Sequence, residues 1–388
     1  MRRPSQLSRS SVNAVGMCLG PQAAFQRGKM SEISIACVGD IVLGNVTERF
    51  CEQEGSARLR ERLWAGAGAA DLILANLEAP VTESRATRED KLFNFRASAS
   101  ALAALDPRCV LSLANNHMMD FGPEGLFDTL AALDNRGFTH AGAGRNLEEA
   151  RRPAMVEVNG VTVAVICVAD PRYSPAGADS PGTCPASPAL LRETLQDLRG
   201  RVQVIIVSCH MGMEYLWTPS PLMSSTAELC LNEGARIVLF HHAHRVSGET
   251  RDERGLVIWG AGNYVFTQGA PAGFRPWYRS LVWRVALSAQ GKGVDALERH
   301  PVVLDGTGIP RAANGKTARR IQRTVERCSR RLDHGWTLAL WRVLGLFNPS
   351  YLRIAMGSYL DMLRWGGVAC VARAVYSTVA TQILRKTP

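Results

Sequence analysis

The feature that most limits the fold is an alternation repeated from Ile33 to about residue 310. Short apolar runs, "ISIACVG", "DLILAN", "CVLSLAN", "VTVAVICV", "VQVIIVSC" and "RIVLF", are each followed by a polar turn, and helix-compatible segments such as 124–136 and 222–233 lie between them. Runs this short and this rich in Val, Ile and Leu suit strands buried on both faces. Their alternation with helices predicts an α/β domain over 31–310. Two later runs, "LVIWGAGNYVF" and "YRSLVWRVALS", read as antiparallel hairpin partners, so mixed sheets are expected.

Polar residues gather where the runs stop. Asp40 follows the first, Asn76 and Glu78 the second, and Asn115, Asn116 and His117 the third; His210 follows "VQVIIVSC", and His242 and His244 follow "RIVLF". Ligands of open α/β sheets bind outside the C-terminal ends of strands, which makes these positions one constellation. Each member alone has an ordinary explanation. Asp40 suits a helix N-cap, Glu78 a loop carboxylate and His117 a satisfied turn histidine. Together they make a donor set of imidazole, carboxylate and amide oxygen, which suits zinc, manganese or iron. Such a centre activates a bound water for hydrolysis, and His117 is placed to protonate a leaving oxygen. If the chain stays extended through "HHAH", alternation puts His242 and His244 on one face and turns His241 to solvent.

The charge is uneven. Residues 1–30 carry five Lys/Arg and no acid, and 311–388 carry 14 Lys/Arg against 3 Asp/Glu, whereas the remainder is mildly acidic. Three parts are therefore expected: a basic segment 1–30, the α/β domain 31–310 and a basic helical extension 311–388. The extension holds Trp- and Arg-bearing segments too interrupted by charge to span a bilayer, which fits helices lying on an anionic membrane surface. A helical cap on the domain and a dimer contact are the other readings. No nucleic-acid-binding motif accompanies the charge, so no nucleic-acid partner is expected. Residues 1–30 lack an uninterrupted apolar stretch of the signal-peptide kind, and "MSEISIACVGD" from Met30 reads as a natural start. These features place the protein in the cytoplasm or on a membrane surface. Several of the ten cysteines sit in strand-like runs and none forms a C-x-x-C, which implies free thiols rather than disulfides or a cysteine-bound zinc.

The pieces "GDIVLG" (39–44), "ANLEAPVT" (75–82), "SLANNHMMDFGPEGLFDTLAAL" (112–133), "AGAGRNLEEARRP" (141–153), "SCHMGMEY" (208–215), "HHAH" (241–244) and "GAGNYVF" (260–266) occur in order. This series resembles the capsule-synthesis CapA family (poly-γ-glutamate synthesis proteins) of the calcineurin-like metallophosphoesterase superfamily, over about 33–270. The resemblance implies a four-layer α/β/β/α sandwich holding one or two divalent metal ions. By position, Asp40 matches the first metal aspartate and Glu78, with Asn76, the bridging carboxylate. Asn116 and His117 match the Asn-His pair, and His210, His242 and His244 the remaining imidazole ligands. Glu214 and Asn263 fall in family motifs without an evident role, and Arg245 offers a cation for an anionic substrate. The superfamily's D-x-H is missing, because Ile41 and Val42 follow Asp40. Phe240 and Ala243 stand where the family places Gly and Pro.

The implied function is a metal-dependent hydrolase acting on a phosphoester or a polymer amide bond, in the synthesis or export of an anionic capsule polymer. The other reading is a non-catalytic, membrane-associated partner of a polymer synthase. Its partners would be the polymer, the synthase subunits and, through 311–388, an anionic membrane.

Overall fold

The computed structural model describes residues 32–87, 91, 93–268, 275–289 and 293–332. The readings of 1–30 and of 333–388 lie outside the described residues.

The apolar runs become the strands of two sheets. In the first, Glu32–Val42, Leu72–Leu77, Cys109–Ser112 and Thr139–Ala141 run parallel, and Arg279–Ser288, Ala296–Leu304 and Pro310–Ala312 extend it antiparallel on the other side. In the second, Val161–Ala169, Val204–His210, Ile237–His241 and Leu256–Ile258 are parallel, edged by the antiparallel strands Ala154–Val158 and Glu249–Arg251. The central strands are buried along almost their whole length, as continuous apolar runs in parallel sheets require.

Three apolar layers separate four layers of structure. Ile35, Cys37, Leu74 and Trp283 of the first sheet meet Val163, Ile206, Ile237 and Leu239 of the second. The outer face of the first sheet is covered by Leu59 and Leu63 of the helix Ser56–Trp64 and by Leu126, Leu130 and Leu133 of Gly122–Asp134. The outer face of the second is covered by Leu191 and Leu195 of Pro188–Leu198 and by Ala227 and Cys230 of Pro221–Asn232. The result is the expected α/β/β/α sandwich. The helix Gly315–Leu332, where the basic extension begins, packs on this body through Ile321, Val325 and Cys328, spaced to form one helical stripe.

"LVIWGAGNYVF" is a hairpin arm only in its first part, where Leu256–Ile258 pairs antiparallel with Glu249–Arg251. Leu256–Ile258 pairs parallel to Ile237–His241 in the second sheet, whereas Asn263–Phe266 pairs parallel to Glu32–Val42 in the first. The glycines between them let the chain cross from one sheet to the other. A Cβ on Gly39 would lie 1.7 Å from the Gly262 carbonyl oxygen, so the two segments touch backbone to backbone. That approach lets Asp40 N donate to Gly262 O at 3.0 Å, and Gly262 itself has φ +80. "YRSLVWRVALS" does form an antiparallel partner, as read from the sequence. Eight described cysteines are free, and all but Cys51 are buried. Among the described residues no helix is long and apolar enough to cross a membrane.

Candidate metal centre

The strand ends of both sheets meet at one buried cluster. Asp40, Asn76, Glu78, His210, His242, His244 and Asn263 are all buried, most of them completely. Asp40 lies in register with Asn76 on one side and Asn263 on the other, because all three strands run parallel there. His210 lies in register with His241 in the second sheet.

Four donor atoms converge at one position. His210 Nε2 lies 2.8 Å from Asn116 Oδ1, 3.1 Å from His242 Nδ1 and 3.4 Å from Glu78 Oε1. Ligands of one transition metal, each about 2.0–2.2 Å from the ion, stand roughly 3–3.5 Å from one another, so this spacing suits a coordination sphere. At the other side Asp40 Oδ2 lies 3.3 Å from His244 Nδ1, and His244 Nε2 lies 3.8 Å from Glu78 Oε1. Two sets of ligand atoms are close enough to hold an ion, Asp40–Glu78–His210 and Glu78–His242–His244, and Glu78 belongs to both.

Glu78 is the strongest sign that the cluster holds a cation. It is fully buried, and neither carboxylate oxygen has a hydrogen-bond partner. Burial, reinforced by the neighbouring Asp40 charge, raises its pKa well above the usual range. A buried carboxylate so placed calls for counter-charge beyond that of His244, 3.8 Å away, and a divalent metal among the imidazoles would supply it. Burial works in the same upward direction on Asp40, but hydrogen bonds from His241 and His244 outweigh it and hold Asp40 well below its usual value. Burial lowers His210, and it holds His242 down at about 4, so both are neutral imidazoles suited to ligation. Burial opposes protonation of His244 too, yet Glu78 and Asp40 push it up to about 10.

A ring of polar groups orients these ligands. Asn263 Oδ1 lies 2.9 Å from His244 Nδ1, while its amide nitrogen donates to Trp277 O at 3.3 Å. Asn263 thus sets the His244 ring with Nε2 toward Glu78, a role the sequence did not supply. Asn76 Nδ2 donates to Asp40 Oδ1 at 2.9 Å and lies 3.2 Å from His210 Nδ1, so Asn76 steers two ligands at once. Asn115 Nδ2 in turn donates to Asn76 Oδ1 at 3.2 Å and to Leu77 O at 2.8 Å. Tyr173 OH lies 2.8 Å from His242 Nε2. No spacing rule would have found Tyr173, which comes from the loop after Val161–Ala169.

His117 sits at the rim, 6% exposed, with its ring against Phe95. Its Nδ1 lies 2.6 Å from Asp120 Oδ2, which leaves Nε2 as the free nitrogen. The fully buried Asp120 also accepts from Phe95 N and pairs with Lys91. Asp120 was not singled out from the sequence, although its position three residues after His117 was a readable signal. Glu214 is pushed up by burial, but His242, His244 and His117 outweigh this and hold it ionised.

One reading needs correction. His241 does not face solvent: it is 3% exposed, and its Nδ1 lies 3.0 Å from Asp40 Oδ1. The alternation argument fails because the chain leaves the extended conformation there, with φ of 86 at His242 and 50 at His244. The turn presents all three rings inward, and two histidines in the left-handed region store strain at the site. Arg245, which follows the cluster in the chain, donates from Nη1 to Tyr215 O at 2.8 Å.

The fold and this cluster define an α/β/β/α sandwich with a histidine–carboxylate centre able to hold divalent metal. A family model described as bacterial capsule synthesis protein PGA_cap matches residues 34–268, and the chain belongs to that family. The chain is 29% identical over 243 residues to the PGA biosynthesis protein CapA of Bacillus subtilis, covering 61% of this chain and 64% of that protein. It thus spans somewhat less than two thirds of that relative. A probable polyglutamine synthesis accessory protein of Mycobacterium tuberculosis is 27% identical over 356 residues, covering 78% of this chain and 93% of the relative. A solved structure of a putative 5'-nucleotidase from Staphylococcus aureus is similar at 16% identity and a TM-score of 0.44, covering 76% of this chain and 58% of that one.

Proposed function

We propose that the protein is a metal-dependent hydrolase acting on an anionic polymer or its phosphoester-linked precursor, in the synthesis or export of a capsule polymer of the poly-γ-glutamate type. The observation that carries this reading is Glu78, fully buried without a partner for either oxygen, inside two overlapping ligand groups. Asp40, Glu78 and His210 would hold one ion, and Glu78, His242 and His244 a second, with Asn116 beside His210; manganese, iron and zinc all accept these donors. The metal, when bound, supplies Lewis-acid polarisation of the scissile group and a water acidic enough to attack at neutral pH.

The protein's own groups do the rest. Asp120 accepts from His117 Nδ1 and fixes the ring, so that Nε2 faces outward to give a proton to the leaving oxygen. Phe95 and Phe266 wall the centre and restrict water. Asn263, Asn76 and Tyr173 hold His244, His210 and His242 in place for the ions.

Metal analysis of the purified protein, with phosphodiesterase and γ-glutamyl hydrolase assays on His117→Ala and His242→Ala, tests this. The expected outcome is stoichiometric metal in wild type, metal loss in His242→Ala, and retained metal with activity lower by about 10²–10⁴-fold in His117→Ala. Metal-free wild type, or activity indifferent to both changes, refutes it. The helix Gly315–Leu332 supports a second reading, a membrane-associated accessory subunit of a polymer synthase, since it carries seven Lys/Arg and one Glu. That protein would keep the metal and show no turnover in either assay.

A further inference from the structure

Lys91 stands between two residues with separate tasks. Its ammonium donates to Asn116 O and pairs with Asp120 Oδ1. The Asn116 side chain meets the ligand cluster, with Oδ1 2.8 Å from His210 Nε2, while Asp120 Oδ2 lies 2.6 Å from His117 Nδ1. One ammonium, carried by a segment 25 residues before Asn116, thus ties the residue beside the metal ligands to the carboxylate that orients His117.

The turn that holds these residues is closed by its own bonds. His117 N donates to Asn115 Oδ1 at 3.1 Å, and Asp120 N donates to His117 O at 2.9 Å. Such bonds set the backbone and leave the Asp120 carboxylate free to rotate. Two donors from outside the turn remove that freedom: Phe95 N binds Oδ2 at 2.9 Å, and Lys91 binds Oδ1. With both oxygens engaged the carboxylate is locked, and the ring that leans on it is locked too. The Phe95 ring, 4.3 Å from the His117 ring between centroids, packs on the same group.

Lys91 does not bond to the imidazole itself. Nδ1 gives its proton to Asp120, and an ammonium has donors only, so the 3.4 Å between Lys91 Nζ and Nδ1 is a contact. Any effect of Lys91 on His117 therefore passes through Asp120 and the Asn116 carbonyl. The Lys91 side chain is 21% exposed and that of Asp120 is fully buried, so the cation closes the turn from the solvent side.

We propose that Lys91 is a positioning residue for proton delivery: by holding Asn116 O and Asp120 Oδ1 together, it sets the His117 ring against the ligand cluster. This rests on the hydrolase reading, in which His117 protonates the leaving oxygen, although the fixing of the ring does not. As the P–O bond breaks, its electron pair goes to the leaving oxygen, which takes the Nε2 proton; the proton lost by the attacking water restores the ring. An alkoxide needs that proton to leave, whereas p-nitrophenolate departs without one. The contribution of Lys91 is therefore tied to the leaving group.

The test uses the full chain. Lys91→Met and Lys91→Gln, two neutral side chains of similar length, guard against one that fails to fold, and each is also combined with His117→Ala. Metal content is measured throughout, and turnover is read on an alkyl phosphodiester and on bis-p-nitrophenyl phosphate. A misplaced acid should lower kcat on the alkyl ester about 10–100-fold, with KM and metal content unchanged. The nitrophenyl ester should lose less than about threefold. In the His117→Ala background the Lys91 change should cost nothing further, because the two residues act as a unit. A second measurement needs no turnover: exchange of the His117 Nδ1 proton with water, followed by NMR and assigned by its absence from His117→Ala. Loss of Lys91 should speed that exchange about tenfold or more. Equal losses on the two esters, additive losses in the double variants, or unchanged proton exchange would each overturn the positioning role. A wild type that turns over neither ester refutes the hydrolase reading, and the exchange rate then decides whether Lys91 fixes the ring.

Discussion

Replacing Glu78 by Gln should remove the protein's thermal response to divalent metal. Glu78 is shared by both ligand groups, with Oε1 3.4 Å from His210 Nε2 and 3.8 Å from His244 Nε2. Gln keeps the shape but removes the only charge common to the two sites. An ion at a hundred times its Kd stabilises a fold by about 2.7 kcal/mol. For a domain of this size each kcal/mol is worth about 2–4 °C of melting temperature. Wild type freed of metal should therefore gain about 5–10 °C on saturation with one ion, and about twice that with two. Glu78→Gln should gain less than about 2 °C under the same conditions. Without metal the order changes. An ionised carboxylate buried without partners costs several kcal/mol, so chelated Glu78→Gln should melt no lower than chelated wild type at mildly alkaline pH. Scanning calorimetry with and without manganese, iron(II) or zinc reads both effects. A full metal response in the variant, or none in wild type, would refute the assignment of Glu78 as the shared ligand.

His241→Ala should lower metal affinity by about 10–100-fold, since the ring lies on Asp40, whereas a solvent-facing His241 would leave affinity unchanged. Asn263→Ala should do the same through His244, with Asn263→Asp recovering most of the loss, both read by titration calorimetry. The chelated protein should be most stable near pH 6.5, the ordinary value for histidine. His242, held at about 4, refuses a proton that the unfolded chain takes up below 6.5, so its stability is lost as pH falls through that window. His244, raised to about 10, contributes fully below 6.5 and is lost as pH rises toward 10. Glu78, raised from its usual value of 4.5, loses its contribution as pH rises from there and so offsets part of the His242 limb. Inside its window each group changes stability by about 1.4 kcal/mol per pH unit, and a flat profile of urea midpoints would contradict these directions.

Much of the centre was legible because parallel strands end together. A residue just beyond a buried apolar run in such a sheet is carried to the common edge, so Asp40, Glu78, His210 and His242 could be collected from run boundaries alone. The glycines of "GDIVLG" and "GAGNYVF" were visible as motif letters, but their purpose was not. Only the tertiary contacts show why neither position takes a side chain: a Cβ on Gly39 would meet Gly262 O, and one on Gly262, at φ +80, would meet Arg279 O at 2.6 Å. Asp120 was within reach of the sequence through its spacing from His117. Lys91 and Tyr173 were not, since loops bring them to the site from elsewhere in the chain.

The sequence by itself determined the periodic pattern, and hence the two sheets, the covering helices and the strand ends where polar groups collect. That information is local: burial on both faces demands a continuous apolar run, and its end marks the edge. The tertiary structure alone decided the direction of each ring and the partner of each charge. His241 turned inward because the backbone at His242 and His244 leaves the extended region, which overrides alternation. Asn263 found its role because two strands of the first sheet bring it to Asp40 and His244. Arg245 is held by the carbonyl of Tyr215, 30 residues earlier in the chain. Such choices depend on contacts between distant segments, and periodicity along the chain carries no information about them.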